Sequence, residues 1–108
     1  MQTEQLIEFA IAELENMKAR DIVVIDVMEK ASFTDCMIVC SGNSSRHVRS
    51  ITENLNTEAK AKGLSIIGIE GNDIGEWSLV DLGDIIVHVM TDDIRDTYKL
   101  EDLWAKDQ

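Results

Sequence analysis

The chain has 108 residues, of which 44% are hydrophobic and 29% are charged, and its formal net charge is −11. This length predicts a single domain that can bury a core without disulfides or metal, and the composition excludes the disordered and fibrous classes. The negative charge argues against nucleic acid as a direct ligand, because it repels phosphate backbones.

The first forty residues predict one helix and two strands. Apolar residues recur with helical spacing over residues 3–18, and this stretch has neither the basic start of a targeting peptide nor the continuous apolar run of a membrane span. Residues 21–27 and 35–41 are β-branched runs that are apolar on both faces, which is typical of strands in a sheet covered on two sides. The second run holds Cys36 and Cys40, which strand geometry places about 13 Å apart, too far for a disulfide. Two unpaired thiols suit the cytoplasm.

The remaining elements follow in a regular order. Ser44 or Ser45 is a suitable N-cap for a helix that stops at Gly63. Residues 64–70 predict a third strand, and residues 76–90 predict a hairpin with its turn at 81–84. A last helix opens at Thr91 and ends near Trp104. The chain is therefore predicted to form one α/β domain over residues 1–108, with helices packed on a mixed sheet of about five strands.

The hypothesis that the protein is an enzyme depends on the loop from Ser41 to Arg49. A glycine- and serine-rich turn between a strand and a helix can cradle a phosphate, with Arg46 or Arg49 as the counter-charge, and nucleotidyltransferase-like active sites begin in this way. Such enzymes need metal-binding carboxylates on the adjoining strands, and the strands that follow carry no Asp-x-Asp pair. The cysteines also lack companion ligands at metal-binding spacing. We therefore predict no catalytic residue, cofactor or metal.

The scarce aromatic residues favour a binding role. Residues 70–108 hold eleven acidic and three basic side chains, and the same segment holds Trp77, Tyr98 and Trp104. Rings on a terminal helix can simply seal the sheet, but amphipathic rings framed by charge are also typical of interface hot spots. If the hairpin and the tail lie side by side, an apolar patch rimmed by acids is expected, and a basic protein is its natural partner. The members of that patch would be Trp77, Val80, Tyr98 and Leu100, with Asp81 and Glu101 at the rim.

Several motifs resemble one known family. The run WSLVDLGDIIVHV, from Trp77 to Val89, and the run RDTYKLEDLW, from Arg95 to Trp104, are similar to the signature of the ribosomal silencing factor family, also called RsfS or Iojap. The earlier runs DIVVIDV, FTDCMIVCSGNSSRHV and IEG match the family in the same order. The resemblance covers roughly residues 4–105.

This resemblance implies a bacterial or organellar cytoplasmic factor with a nucleotidyltransferase-like topology but no transfer activity. Family members bind ribosomal protein fourteen of the large subunit and block joining of the small subunit, which lowers translation in starvation or stationary phase. A homodimer of the free protein would cover the exposed patch. Carried onto this chain, the resemblance implies partner-binding roles for Trp77, Val80, Asp81, Tyr98, Leu100 and Glu101, and supporting roles for His88, Arg95 and Trp104.

Overall fold

The computed structural model describes residues 2–29, 31–32, 34–99 and 102. Three helices and five strands lie in this part of the chain, in the predicted order α, β, β, α, β, β, β, α. Their bounds are α1 Thr3–Asn16, β1 Arg20–Asp26, β2 Cys36–Gly42, α2 Ser45–Ala61, β3 Gly68–Glu70, β4 Trp77–Asp81, β5 Ile85–Thr91 and α3 Asp92–Tyr98. None of the described helices is both long enough and apolar enough to cross a lipid bilayer.

The strands form one mixed sheet in the order β1-β2-β5-β4-β3. Strands β2 and β5 are parallel, and the other three neighbouring pairs are antiparallel. The predicted hairpin is confirmed as β4 and β5, with Trp77 opposite Met90 at its open end and Asp81 opposite Ile86 near its turn. The fold class expected from the sequence is therefore confirmed.

Helices α1 and α2 cover one face of the sheet. Their apolar stripes are buried together with side chains of β2, β4 and β5, because residues three and four apart on a helix share a face. The helical members of this cluster are Leu6, Phe9, Ala10, Leu14, Val48, Ile51, Leu55 and Ala59. This is the main core of the domain.

The start of α2 is fixed by two side-chain contacts. The hydroxyl of Ser44 accepts a hydrogen bond from the backbone N–H of His47 at 3.1 Å, which confirms the predicted N-cap. The imidazole of His47 accepts from the backbone N–H of Asn43 through Nδ1 at 2.8 Å, and its Nε2–H donates to the carbonyl of Met17 at 2.7 Å. His47 thus ties the beginning of α2 to the end of α1.

Three sequence predictions need correction. Strand β1 is covered only in part, as an edge strand: Ile22 and Val23 pack against the two apolar clusters but are half-buried, Val24 is 44% exposed, and Ile25 is its one buried residue. Strand β3 begins only at Gly68, because the preceding residues first close the end of α2, where the N–H of Leu64 donates to the carbonyl of Ala59. Helix α3 ends at Tyr98, because Lys99 adopts the left-handed conformation with φ 47° and ψ 51°, so the last helix is not continuous as predicted; its predicted end near Trp104 lies outside the described residues.

Candidate partner-binding face

Strand β4 alternates between the two faces of the sheet. Ser78 and Val80 are buried, whereas Trp77, Leu79 and Asp81 are half-buried and point to the face opposite α1 and α2. Val80 is fully buried in the main core, so its predicted place on an exposed docking patch is wrong. Leu79, and not Val80, is the apolar residue of β4 that lies on the same face as Trp77. The two-residue period of a strand containing Trp77 would have identified it.

Trp77 and Tyr98 are brought together on this second face. Their ring centroids are 5.0 Å apart and the planes are tilted by 50°, a favourable geometry for an aromatic pair. Tyr98 is 56% exposed, so much of its ring is available to a partner. The expected juxtaposition of the hairpin with the segment after it is therefore present for these two residues. Leu100, Glu101 and Trp104 lie outside the described residues.

The indole of Trp77 is held by His88. Its Nε1–H donates to Nδ1 of His88 at 3.0 Å, and the two ring centroids are 6.0 Å apart. His88 is opposite Leu79 in the ladder, so it lies diagonally across from Trp77 on the same face, within reach of a large ring. Burial lowers the pKa of His88 to about 4. The imidazole is consequently neutral near pH 7, with its proton on Nε2.

Helix α3 presents Tyr98 and is anchored at several points. Ile94 packs in a second apolar cluster on this face of the sheet. The guanidinium of Arg95 is buried and donates to the hydroxyl of Ser41 at 2.9 Å. At the start of the helix, both carboxylate oxygens of Asp92 accept from Nη2 of Arg20 at 2.7 and 2.9 Å, linking α3 to β1. Arg95 therefore links α3 to β2.

The acid at the rim has a partly structural role. Oδ1 of Asp81 accepts a hydrogen bond from the backbone N–H of Gly83 at 2.9 Å, which closes the turn between β4 and β5. Asp81 is half-buried, so this rim acid is partly accessible at the surface.

The loop from Ser41 to Arg49 is poorly suited to a phosphate. Gly42 is the last residue of β2, where an added Cβ would lie 2.9 Å from Cγ2 of Val48, so this glycine permits close packing of α2. A groove of about 340 Å³ lies beside the N-terminus of α2. Three carboxylates, those of Glu76, Asp92 and Asp93, line this groove together with Asn43, Ser44 and Thr91. Their negative charge opposes anion binding at this point.

The cysteines have the properties of core residues. Cys36 and Cys40 are both buried and unpaired by disulfide. Burial raises the pKa of both thiols, to about 12 for Cys40, so both stay protonated near neutral pH. Within residues 2–29, 31–32, 34–99 and 102, no group of three potential metal ligands comes together.

Comparison with known proteins gives a consistent family. Residues 1–108 match the family described as "Ribosomal silencing factor during starvation". The Ribosomal silencing factor RsfS of Haemophilus influenzae is 48% identical over 100 residues, which cover 93% of this chain and 98% of that protein. A crystal structure of a Chromobacterium violaceum protein has a TM-score of 0.94 at 39% identity, covering 97% of this chain and 88% of that one.

A mouse protein named Mitochondrial assembly of ribosomal large subunit protein 1 is also similar. It is 35% identical over 102 residues, which span 92% of this chain but 45% of the mouse protein. Fold and sequence together define a small α/β regulatory domain of a class found in both bacteria and mouse. The chain belongs to the ribosomal silencing factor family.

Proposed function

We propose that this protein represses translation by binding the large ribosomal subunit and preventing the small subunit from joining it. The partner we propose is ribosomal protein fourteen, and the condition is nutrient limitation or stationary phase, as the family resemblance implies. The protein would act in the cytoplasm, where its ribosomes are. The name of the mouse relative, which refers to the ribosomal large subunit, supports the choice of subunit.

The observation that carries this proposal is the exposed Tyr98 ring packed on Trp77. Large amphipathic rings are the side chains most often found at the centre of protein interfaces, where truncating one typically costs about 2 kcal/mol or more. Tyr98 is exposed, and the indole on which it packs is held by a partly buried hydrogen bond from Trp77 to His88. An aromatic ring has few rotatable bonds, and this one is packed on Trp77, so it binds with little loss of side-chain entropy.

Charge supports a basic protein as the partner. The chain carries a net charge of −11, and eleven of its acids fall in residues 70–108, which include Trp77, Asp81 and Tyr98. Ribosomal proteins are typically basic, so opposite fields would steer the encounter and raise the association rate. The same field would disfavour direct contact with ribosomal RNA.

The mechanism we propose is steric and assigns no catalytic residue. The domain measures 35 × 34 × 20 Å along its principal axes. A rigid body of this size bound at the surface that faces the small subunit would occupy space that the small subunit needs. Repression would then require only binding, and its strength would follow occupancy of the large subunit.

Binding to purified ribosomal protein fourteen tests the proposal directly. The immobilised ribosomal protein is titrated with this protein, beside a second basic large-subunit protein as a control for nonspecific charge attraction. We expect saturable binding to ribosomal protein fourteen alone, with an association rate that falls as salt screens the opposite charges. Equal binding to both proteins would show that charge alone drives the contact and would overturn the proposed partner.

The same exposed rings predict weak self-association of the free protein. Light scattering of the wild type beside Tyr98→Ala measures it, and a dimer would be expected to dissociate when Tyr98 is truncated. A dimer unaffected by this substitution would place self-association on another surface.

A further inference from the structure

The orientation of the Trp77 indole depends on a single acceptor among the described contacts. Its Nε1–H donates to Nδ1 of His88 at 3.0 Å. The hydrogen bond fixes which edge of the indole turns toward the sheet and which face turns toward Tyr98, whose ring centroid lies 5.0 Å away. Rotating the indole would break the bond and leave a partly buried N–H without its acceptor, which is unfavourable.

His88 itself is inaccessible to a partner. Its side chain is 6% exposed, and it lies in the middle of β5 between fully buried Val87 and Val89. On its own face of the sheet, Val39 is its neighbour on β2 and Leu79 its neighbour on β4. These apolar surroundings favour the neutral ring, which carries a single proton. Because Nδ1 accepts from the indole of Trp77, that proton lies on Nε2.

We propose that His88 is a positioning residue for partner binding: it holds Trp77 in the one orientation that supports Tyr98, and it does so without touching the partner. This inference rests on the proposed function. This role differs from simple core packing, because it depends on one atom, the acceptor Nδ1 of His88.

A matched pair of substitutions separates these two roles. His88→Asn places an amide oxygen near the position of Nδ1 and keeps an acceptor for the indole, whereas His88→Leu has a similar shape and removes the acceptor. Trp77→Phe removes the donor and keeps an aromatic ring beneath Tyr98. Affinity for ribosomal protein fourteen is measured for each variant and for the double variant His88→Leu/Trp77→Phe, with unfolding free energies measured alongside.

We expect His88→Leu and Trp77→Phe each to weaken binding about tenfold, since an indole that is free to rotate must be ordered on binding. His88→Asn should bind within about threefold of the wild type. The double variant should bind no more weakly than either single variant, because both remove the same bond. Additive losses, or equal losses for His88→Asn and His88→Leu, would overturn the positioning role.

A readout in the free protein keeps this inference separate from the proposed function. The indole N–H resonance of Trp77, assigned by its loss in Trp77→Phe, should be protected from solvent exchange in the wild type and in His88→Asn, and exchange rapidly in His88→Leu. If the wild type does not bind ribosomal protein fourteen, the proposed function fails while this measurement still shows whether His88 orients Trp77. Unchanged protection in His88→Leu would overturn the inference whatever the binding result.

Discussion

The phenol ring of Tyr98, on α3, lies 5.0 Å from the indole of Trp77, on β4, and the contact joins the start of the β4–β5 hairpin to the helix that follows it. Tyr98 is the more exposed of the two rings, and Trp77 is the one fixed from below through His88. Removing Tyr98 should therefore affect what the surface binds more than how the chain folds.

Tyr98→Ala is expected to weaken binding to ribosomal protein fourteen by about 2 kcal/mol or more, as truncation of a central interface ring does. Because Tyr98 is 56% exposed, the free energy of unfolding should change by less than about 1 kcal/mol. Titration calorimetry gives the affinity and urea denaturation gives the stability.

Met28→Ala is the matched control for this substitution. Met28 is 60% exposed and follows β1 at the end of the sheet opposite Trp77. It should leave affinity unchanged. Equal losses in the two variants would place the interface elsewhere.

Truncation of Val80 should mainly lower stability and truncation of Leu79 should mainly weaken binding, because adjacent residues in β4 point to opposite faces of the sheet. Val80→Ala removes buried methyl groups from the main core and should lower the free energy of unfolding by about 2 kcal/mol, with affinity preserved in the folded fraction. Leu79→Ala should cost less stability and weaken binding. Denaturation and binding measured on both variants test this assignment, and a binding defect confined to Val80→Ala would reverse it.

His88 predicts a specific loss of stability in acid. Burial lowers its pKa from 6.5 in the unfolded chain to about 4 in the fold, so the unfolded state takes up a proton first. The stability that depends on a neutral His88 is fully present above pH 6.5. The free energy of unfolding falls by about 3 kcal/mol in total as the pH falls from 6.5 toward 4. Urea denaturation across this range should show a smaller acid loss for His88→Asn than for the wild type. Parallel pH profiles would contradict the assignment of a neutral buried ring.

Gly71 is expected to be intolerant of any side chain. It has φ +78°, and an added Cβ would lie 2.0 Å from the carbonyl oxygen of Trp77, so the backbone beneath the binding face would have to move. Gly71→Ala should cost about 3 kcal/mol or more of stability and also weaken binding.

Gly63→Ala is the control for Gly71→Ala, because both glycines have a positive φ but only Gly71 would clash with a neighbouring atom. Gly63 has φ +75° with no atom within 4 Å of the added Cβ, so its substitution should cost only about 1 kcal/mol. Thermal unfolding of the two variants compares them. Similar costs would mean that the clash at Gly71 relaxes easily.

Local chemistry made much of this fold predictable. The Ser44 cap, the stop at Gly63 and the hairpin between Trp77 and Thr91 depend on residues close in sequence, and all three are present. The errors arose where neighbours distant in sequence decide the outcome. The composition of β1 is that of a central strand, and only the strand order makes it an edge.

The candidate face shows the same division. The sequence identified its rings, but it could not show that His88 accepts from Trp77, because that bond needs both the register of β4 against β5 and the side-chain rotamers. Strand alternation counted from Trp77 places Leu79 on the face of Trp77 and Val80 on the opposite face, so the sequence alone distinguishes these two residues.

The most direct test of steric silencing is sedimentation of separated ribosomal subunits mixed with this protein, wild type beside Tyr98→Ala, under conditions in which subunits normally join. We predict that the wild type travels with the large subunit and reduces the fraction of joined ribosomes, while Tyr98→Ala stays at the top of the gradient and joining proceeds. Full joining with the wild type bound to the large subunit, or a wild type that remains at the top of the gradient, would contradict the account.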